Sequence, residues 1–196
     1  MNIRFYILVF SSILAGVVYF WAGNNTTLLV QTYALLSVTF LYFTLLASPV
    51  ARIFIFLPYR GLYLKARRAL GVSAFLFALL HSYFAFFNVI GGFEGLQFLS
   101  GNYLLGVIIG TINLIILSLM AATASEVMVA KLTYPKWKLL HRFVYLVAIL
   151  VVVHATIMGS HFADLSGIIP RVFYTLAAIL LVLEVIRLYR FLKSRG

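Results

Sequence analysis

Cysteine is absent from all 196 residues. That excludes disulfides, thiolate zinc sites, iron–sulfur clusters and c-type heme attachment. Any metal must be held mainly by the 4 histidines. Charge is scarce too, at 10% of residues, and acids are the scarcest, with 4 Asp and Glu against 15 Lys and Arg. Soluble domains carry about 25% charged residues, so a chain that is 64% hydrophobic is not a water-soluble globule. No G-x-G-x-x-G is present, so the chain does not itself hold a dinucleotide in the usual way. No Ser-His-Asp or paired-carboxylate set is available for hydrolysis. The formal net charge of +11 would suggest nucleic acid in a polar protein. Here the basic residues lie between long apolar runs, which points to membrane topology and to no nucleic-acid partner.

What the chain does have is six apolar runs of the length a spanning helix needs, about 20 residues. They cover approximately 5–22, 28–50, 69–90, 103–124, 139–158 and 172–188, and predict an all-α polytopic membrane protein, a six-helix bundle forming one domain over 1–196. The first run is too long for a signal-peptide core of about 7–15 residues and is read as a retained helix. Pro49 and Pro58 flank the second loop and Pro170 precedes the sixth run, so prolines are read as marking helix ends. Arg4, the Arg52 to Arg68 group, the Lys131 to Arg142 group and the Arg187 to Arg195 group fall on one side, fourteen of the fifteen basic residues, with Arg171 alone on the other. The positive-inside rule then puts both termini in the cytoplasm and predicts a multi-pass protein of the bacterial inner membrane.

Ionisable groups inside a bilayer are costly and mark function. His81 lies 12 residues beyond the start of the third run, about 18 Å along a helix; His154 lies 13 residues beyond His141, about 20 Å. His81 and His154 thus reach a similar depth on different helices, the arrangement of two axial ligands to a b-type heme between helices. A lone histidine is more simply a hydrogen-bond partner of a neighbouring helix; the matched depths favour ligation for the pair. Ala74 and Ala78 share the face of His81 and leave room for a porphyrin. His141 has no matching histidine, because the third run offers Arg67 and Arg68 at that level. A second, inner heme would therefore have one histidine, and the two arginines suit heme propionates, although basic residues at a helix end are also expected for topology alone. On a straight helix His141 and His154 point about 140° apart, so one flat face cannot carry both unless tilt, curvature or ring placement takes up the difference. His161, beside Asp164 in an outer loop, could touch the outer heme or an external partner, although a solvated loop histidine is the simpler reading. Gly106 and Gly110 form a G-x-x-x-G that lets helices approach. Glu184 and Arg187 form a local ion pair, and Asn113 and Gln31 are read as joining helices.

The stretch Ala66-Arg67-Arg68-Ala69-Leu70-Gly71, continuing through Phe75 and Leu80 to His81, and the block Trp137-Lys138-Leu139-Leu140-His141-Arg142-Phe143-Val144-Tyr145-Leu146-Val147-Ala148-Ile149-Leu150 to His154, resemble the MsrQ (YedZ) family. These are heme-binding membrane subunits of the bacterial methionine-sulfoxide reductase system, within the ferric-reductase-like transmembrane superfamily. Ser48-Pro49-Val50-Ala51-Arg52, Thr123, Met128, Lys131 and Leu132 extend the likeness. The resemblance implies a six-helix b-type cytochrome with one or two hemes, in which His81 and His154 are metal ligands, His141 is a third functional histidine, and Arg67, Arg68 and Trp137 lie at the cofactor. It implies a quinone or a cytoplasmic flavin reductase as donor, admits flavin as an additional cofactor, and makes a periplasmic molybdenum-cofactor enzyme that repairs oxidised methionine the acceptor. The chain is then an electron-transfer subunit of an oxidoreductase and not its catalytic subunit. It departs from the family pattern by one extra residue between Lys131 and Trp137 and by His161. Two other readings remain at this point: a stand-alone transmembrane ferric reductase, and a small transporter or channel with structural histidines.

Overall fold

The computed structural model describes residues 2–162 and 164–193; Arg195, one of the basic residues counted above, lies outside the described residues. Among these there are helices and no strands. Their order is α1 (Ile3–Ala22), α2 (Thr26–Ile53), α3 (Arg60–Phe84) with a π-helical turn over Ala85–Ile90, short α4 (Gly92–Leu96), α5 (Gly101–Ala122), short α6 (Glu126–Leu132), α7 (Tyr134–Arg142), α8 (Val144–Met158), a 3₁₀ turn at Ser160–Phe162, and α9 (Ile168–Lys193). Six helical stretches are long and apolar enough to cross a bilayer: α1, α2, α3 with its π turn, α5, α7 with α8, and α9. All six expected spans are present.

Their limits differ in instructive ways. The third span starts at Arg60, nine residues before the apolar run that signals it. Lys, Arg, Leu and Ala are all strong helix formers, so the segment is helical although too charged to read as membrane. It is tied to α2 where Tyr63 Oη donates to Phe43 O at 2.6 Å. Pro49, expected at a helix end, sits inside α2, which continues to Ile53 before Phe54 N–H closes on Val50 O. Pro170 likewise falls in the first turn of α9, where a proline leaves no intrahelical bond unmade. The fifth span is broken at Phe143, whose N–H bonds to Leu140 O instead of continuing the α-helical ladder.

Most large apolar side chains point outward, Phe20 at 83% exposure among them, as expected when hydrocarbon is the solvent. Two interior clusters hold the bundle. One gathers Leu41 and Leu45 of α2, Ala74 of α3, Leu117 of α5, and Val144 and Val147 of α8. The other joins α1, α2 and α3 through Val18, Ala22, Leu29, Tyr33 and Phe77. Polar ties reinforce the second: Tyr33 Oη donates to Ala15 O at 2.8 Å, and the buried hydroxyls of Ser11 and Ser73 meet at 2.8 Å. With no hydrophobic drive between helices in lipid, such contacts matter as much as apolar packing. α9 rests chiefly on α2 and on the 3₁₀ turn. The alternating spans bring the basic chain segments to one end, where Arg4 contacts Lys65 O and Glu126, and Arg190 contacts Ile53 O.

Candidate functional site

His81 on α3 and His154 on α8 face each other inside the bundle, their ring centroids 6.3 Å apart and their planes at 88°. Each ring is oriented by backbone. His81 Nδ1 lies 3.0 Å from Val30 O on α2, and His154 Nδ1 lies 2.9 Å from Gly106 O on α5. A carbonyl only accepts, so each Nδ1 carries the proton and each neutral ring keeps its lone pair on Nε2. Metal-ligating histidines commonly show this tautomer, with the other ring nitrogen donating to a carbonyl or carboxylate. An imidazole centre is roughly 1.1 Å from its nitrogen and a histidine–metal bond is about 2.0–2.1 Å. Two rings on opposite sides of one metal ion therefore have centres about 6.3 Å apart, which the observed spacing meets. Among the described residues no group of three or more His, Cys, Asp and Glu could hold a metal ion. Two imidazole donors from different helices are a set that would suit the iron of a porphyrin held between helices.

The glycines of α5 explain how His154 fits. A Cβ on Gly110 would lie 2.9 Å from His154 Cε1, and one on Gly106 would lie 2.4 Å from Met158 Cγ. The G-x-x-x-G pair is thus the seat of the His154 ring as well as a close helix contact. Farther along the same face, at the spacing i+3 from Gly110, Asn113 is buried and its Oδ1 has no hydrogen-bond partner. Ala74 is fully buried in the core cluster of α2, α5 and α8, with Ser37 Oγ donating to its carbonyl at 3.0 Å, and Ala78 packs beside that cluster.

His141 belongs to a second assembly near the basic end. Its Nε2 is 3.2 Å from Thr123 Oγ1, and its ring lies 4.2 Å from that of Trp137, whose Nε1 donates to Thr123 O at 2.9 Å. Thr123 follows α5, and Gly106 lies within it, so both histidines of the fifth span turn towards α5. The break at Phe143 lies between them, where the straight-helix mismatch required a change of direction. The Arg68 guanidinium lies 5.0 Å above the Trp137 ring and pairs with Glu126 at 2.6 Å; Arg4 pairs with the same carboxylate at 2.8 Å. Hydrogen bonds from Arg68 and then Arg4 hold the Glu126 carboxyl down at about 2, well below its ordinary 4.5. Arg67 Nη1 donates to Ser48 Oγ at 2.8 Å. A cleft of about 730 Å³ opens here, lined among others by Arg67, Arg68, Trp137, Lys138, His141 and Tyr145. Ligand pockets run from about 300 to 1,000 Å³, and this one combines apolar walls with guanidinium forks suited to carboxylates or phosphates.

His161 sits on the 3₁₀ turn and is exposed. The nearby Asp164 carboxyl accepts from the Ser166 hydroxyl and N–H, both at 2.9 Å, and is lowered by them. Glu184 and Arg187 pair at 2.6 Å as their spacing indicates, and Arg187 also reaches Tyr145 Oη at 3.0 Å. Sequence reasoning did not reach the backbone carbonyls that orient His81 and His154, nor the Glu126 bridge. The bridge had one signal, Ser125 before Glu126, a helix N-cap whose Oγ accepts from Met128 N at 3.2 Å.

Residues 30–152 match the family described as ferric reductase like transmembrane component. The chain is 32% identical over 157 residues to the protein-methionine-sulfoxide reductase heme-binding subunit MsrQ of Pectobacterium carotovorum, covering 78% of this chain and 69% of that protein. To the MsrQ subunit of Klebsiella pneumoniae strain 342 it is 37% identical over 123 residues, covering 61% and 58%. To that of Herminiimonas arsenicoxydans it is 30% identical over 153 residues, covering 74% and 64%. The chain therefore spans roughly three fifths to two thirds of the length of these relatives.

Proposed function

Because the chain belongs to the ferric-reductase-like transmembrane family, in its MsrQ branch, we propose that it is the heme-binding electron-transfer subunit of a methionine-sulfoxide reductase, in which His81 and His154 would hold a b-type heme. It is a multi-pass protein of the bacterial inner membrane. One observation carries the assignment of ligands: both Nδ1 atoms are committed to backbone carbonyls of other helices, with the two rings 6.3 Å apart.

Bound there, the heme supplies reversible one-electron chemistry; the protein supplies ligands, orientation and polarity. Val30 O and Gly106 O keep the two Nδ1–H bonds in place and so keep Nε2 basic and directed. Gly110 gives the His154 ring its seat. The packed interior around Ala74 and Phe77 excludes water from the α3 side. At the basic end, which the positive-inside rule assigns to the cytoplasm, the cleft beside His141 is the electron entry. A quinone, a flavin or a second heme would lie there against Trp137, with anionic groups on Arg67 and Arg68. The exit is the opposite face, where a periplasmic molybdenum-cofactor reductase would take the electrons.

The test is the reduced-minus-oxidised visible spectrum and heme content of the protein purified in mild detergent, for wild type and for His81→Ala, His154→Ala and His141→Ala. Low-spin b-type bands lost with His81→Ala and with His154→Ala are expected, and the stoichiometry of His141→Ala reports whether the cleft holds a heme. Wild-type protein that stays colourless when expressed with ample heme would overturn the reading.

A further inference from the structure

A smaller pocket, about 200 Å³, lies where the last turns of α2 and α9 meet. We propose that this pocket, lined by Arg52, Ile53, Arg187, Arg190 and Phe191, binds the phosphate of an anionic phospholipid and so clamps α9 to α2. The proposal stands apart from the heme assignment, since the histidine pair lies towards the other end of the bundle.

Charge balance is the first ground. Three guanidiniums share one small pocket, and the chain has only 4 carboxylates from side chains to offset them. Glu126 is taken by Arg68 and Arg4, and Glu184 by Arg187. Glu94 and Asp164 belong to connections at the opposite end. Among the described residues no carboxylate lies within ion-pair distance of Arg52 or Arg190, and Glu184, already paired with Arg187, is the one carboxylate near enough to act on Arg52. Like charges held together at a low-dielectric boundary repel strongly unless an anion joins them. Arg190 spends one donor on Ile53 O at 3.2 Å, of the five a guanidinium has.

Position selects a lipid over a soluble anion. The pocket is at the ends of two helices long and apolar enough to span a bilayer, at the basic end of the bundle, the level at which spans meet phospholipid headgroups. Its polar wall is three guanidiniums, whose fork matches phosphate oxygens, and its apolar wall is Ile53 and Phe191. Leu188, Tyr189 and Leu192 on the same turns of α9 are exposed and offer apolar surface at this level of the bundle. Basic pockets between spans on the cytoplasmic side are recognised headgroup sites. The mechanical reason is that α9 is docked mainly on α2. A phosphate between Arg52 on one helix and Arg187 and Arg190 on the other would bind the less anchored span to the core.

The experiment reconstitutes the full chain in phosphatidylcholine nanodiscs with and without phosphatidylglycerol. It reads the thermal midpoint and, by native mass spectrometry, retained lipid. Phosphatidylglycerol is expected to raise the midpoint of wild type and to be retained selectively. In Arg52→Gln/Arg190→Gln its binding is expected to weaken about 30-fold, and in the exposed single variant Arg52→Gln about fivefold. Helical circular dichroism and monodisperse elution check folding independently of any heme; if the double variant fails them, Arg52→Gln decides. Equal responses to the two lipids, a variant that binds phosphatidylglycerol like wild type, or inorganic phosphate reproducing the whole shift would each overturn the proposal.

Discussion

One methyl group at Gly110 tests the histidine geometry directly. A Cβ there would lie 2.9 Å from His154 Cε1 and 3.2 Å from Nδ1, where ordinary contacts are 3.4–4 Å. The ring cannot simply turn away, because Nδ1 is held to Gly106 O at 2.9 Å. Gly110→Ala must push the imidazole by about 0.5 Å or part α5 from α8. Overpacking costs about 1–3 kcal/mol, and a lost hydrogen bond adds about 1 kcal/mol. The better helix propensity of alanine returns about 1 kcal/mol, leaving a net loss of about 1–3 kcal/mol. The cofactor should feel it more, since disturbing the orienting partner of a ligand costs about 10–100-fold in metal affinity. Heme content after purification, the low-spin bands and the thermal midpoint should all fall in Gly110→Ala. Gly16→Ala is the control, as nothing lies within 4 Å of its Cβ; it should be neutral or gain up to about 1 kcal/mol. If Gly110→Ala keeps wild-type heme, spectrum and midpoint, His154 is not seated as described and the reasoning fails.

The acid limb of stability should carry the signature of Glu126. Its carboxyl is lowered in the folded protein from 4.5 to about 2, so its contribution is present in full above the ordinary value and fades as pH falls towards about 2. The midpoint difference between wild type and Glu126→Gln should therefore shrink on acidification through that window; a difference that does not change with pH contradicts the assignment. Ser73→Ala breaks the buried hydroxyl pair with Ser11 and should cost about 1 kcal/mol, measured as a loss of thermal stability in detergent, whereas an unchanged midpoint would remove the α1–α3 tie from the account. Trp137→Leu deletes both the stack on His141 and the bond to Thr123 O. It should slow heme reduction by an added quinol while the bands of the His81–His154 site stay as in wild type, and unaltered reduction kinetics would place electron entry elsewhere.

The spans were legible because a bilayer imposes a length of apolar chain that few other constraints can imitate. The matched depth of His81 and His154 was legible for the same reason, since rise per residue converts sequence into height. What height cannot give is rotation about the helix axis. Whether His154 faced α5 depended on the break at Phe143, and nothing in the residues around it, neither proline nor glycine, announces a break. The charged start of α3 was missed because Arg60 to Arg68 is good helix and poor membrane at once. Gly106 and Gly110 signal a close approach, but what approaches, a thioether and an imidazole, is decided by the packing of α8. Asn113, read as a joint between helices, is buried, and its Oδ1 has no hydrogen-bond partner among the described residues.

The anchoring of the two histidines on main-chain oxygens also bears on how this membrane core can vary. A site oriented by carboxylates can be retuned or lost through one side-chain change. Here the orienting groups are Val30 O and Gly106 O, main-chain atoms that need no particular polar side chain, although Gly106 itself has no room for a Cβ against Met158. Each such carbonyl has a second lone pair beyond the one serving its own helix. Substitution can therefore drift across the lipid-facing surfaces of α2 and α5, and partners can be exchanged at either end, without touching what directs the rings. The positions left intolerant are few: the two histidines, the glycines that admit them, and any site where proline would interrupt α2 or α5 near the two carbonyls.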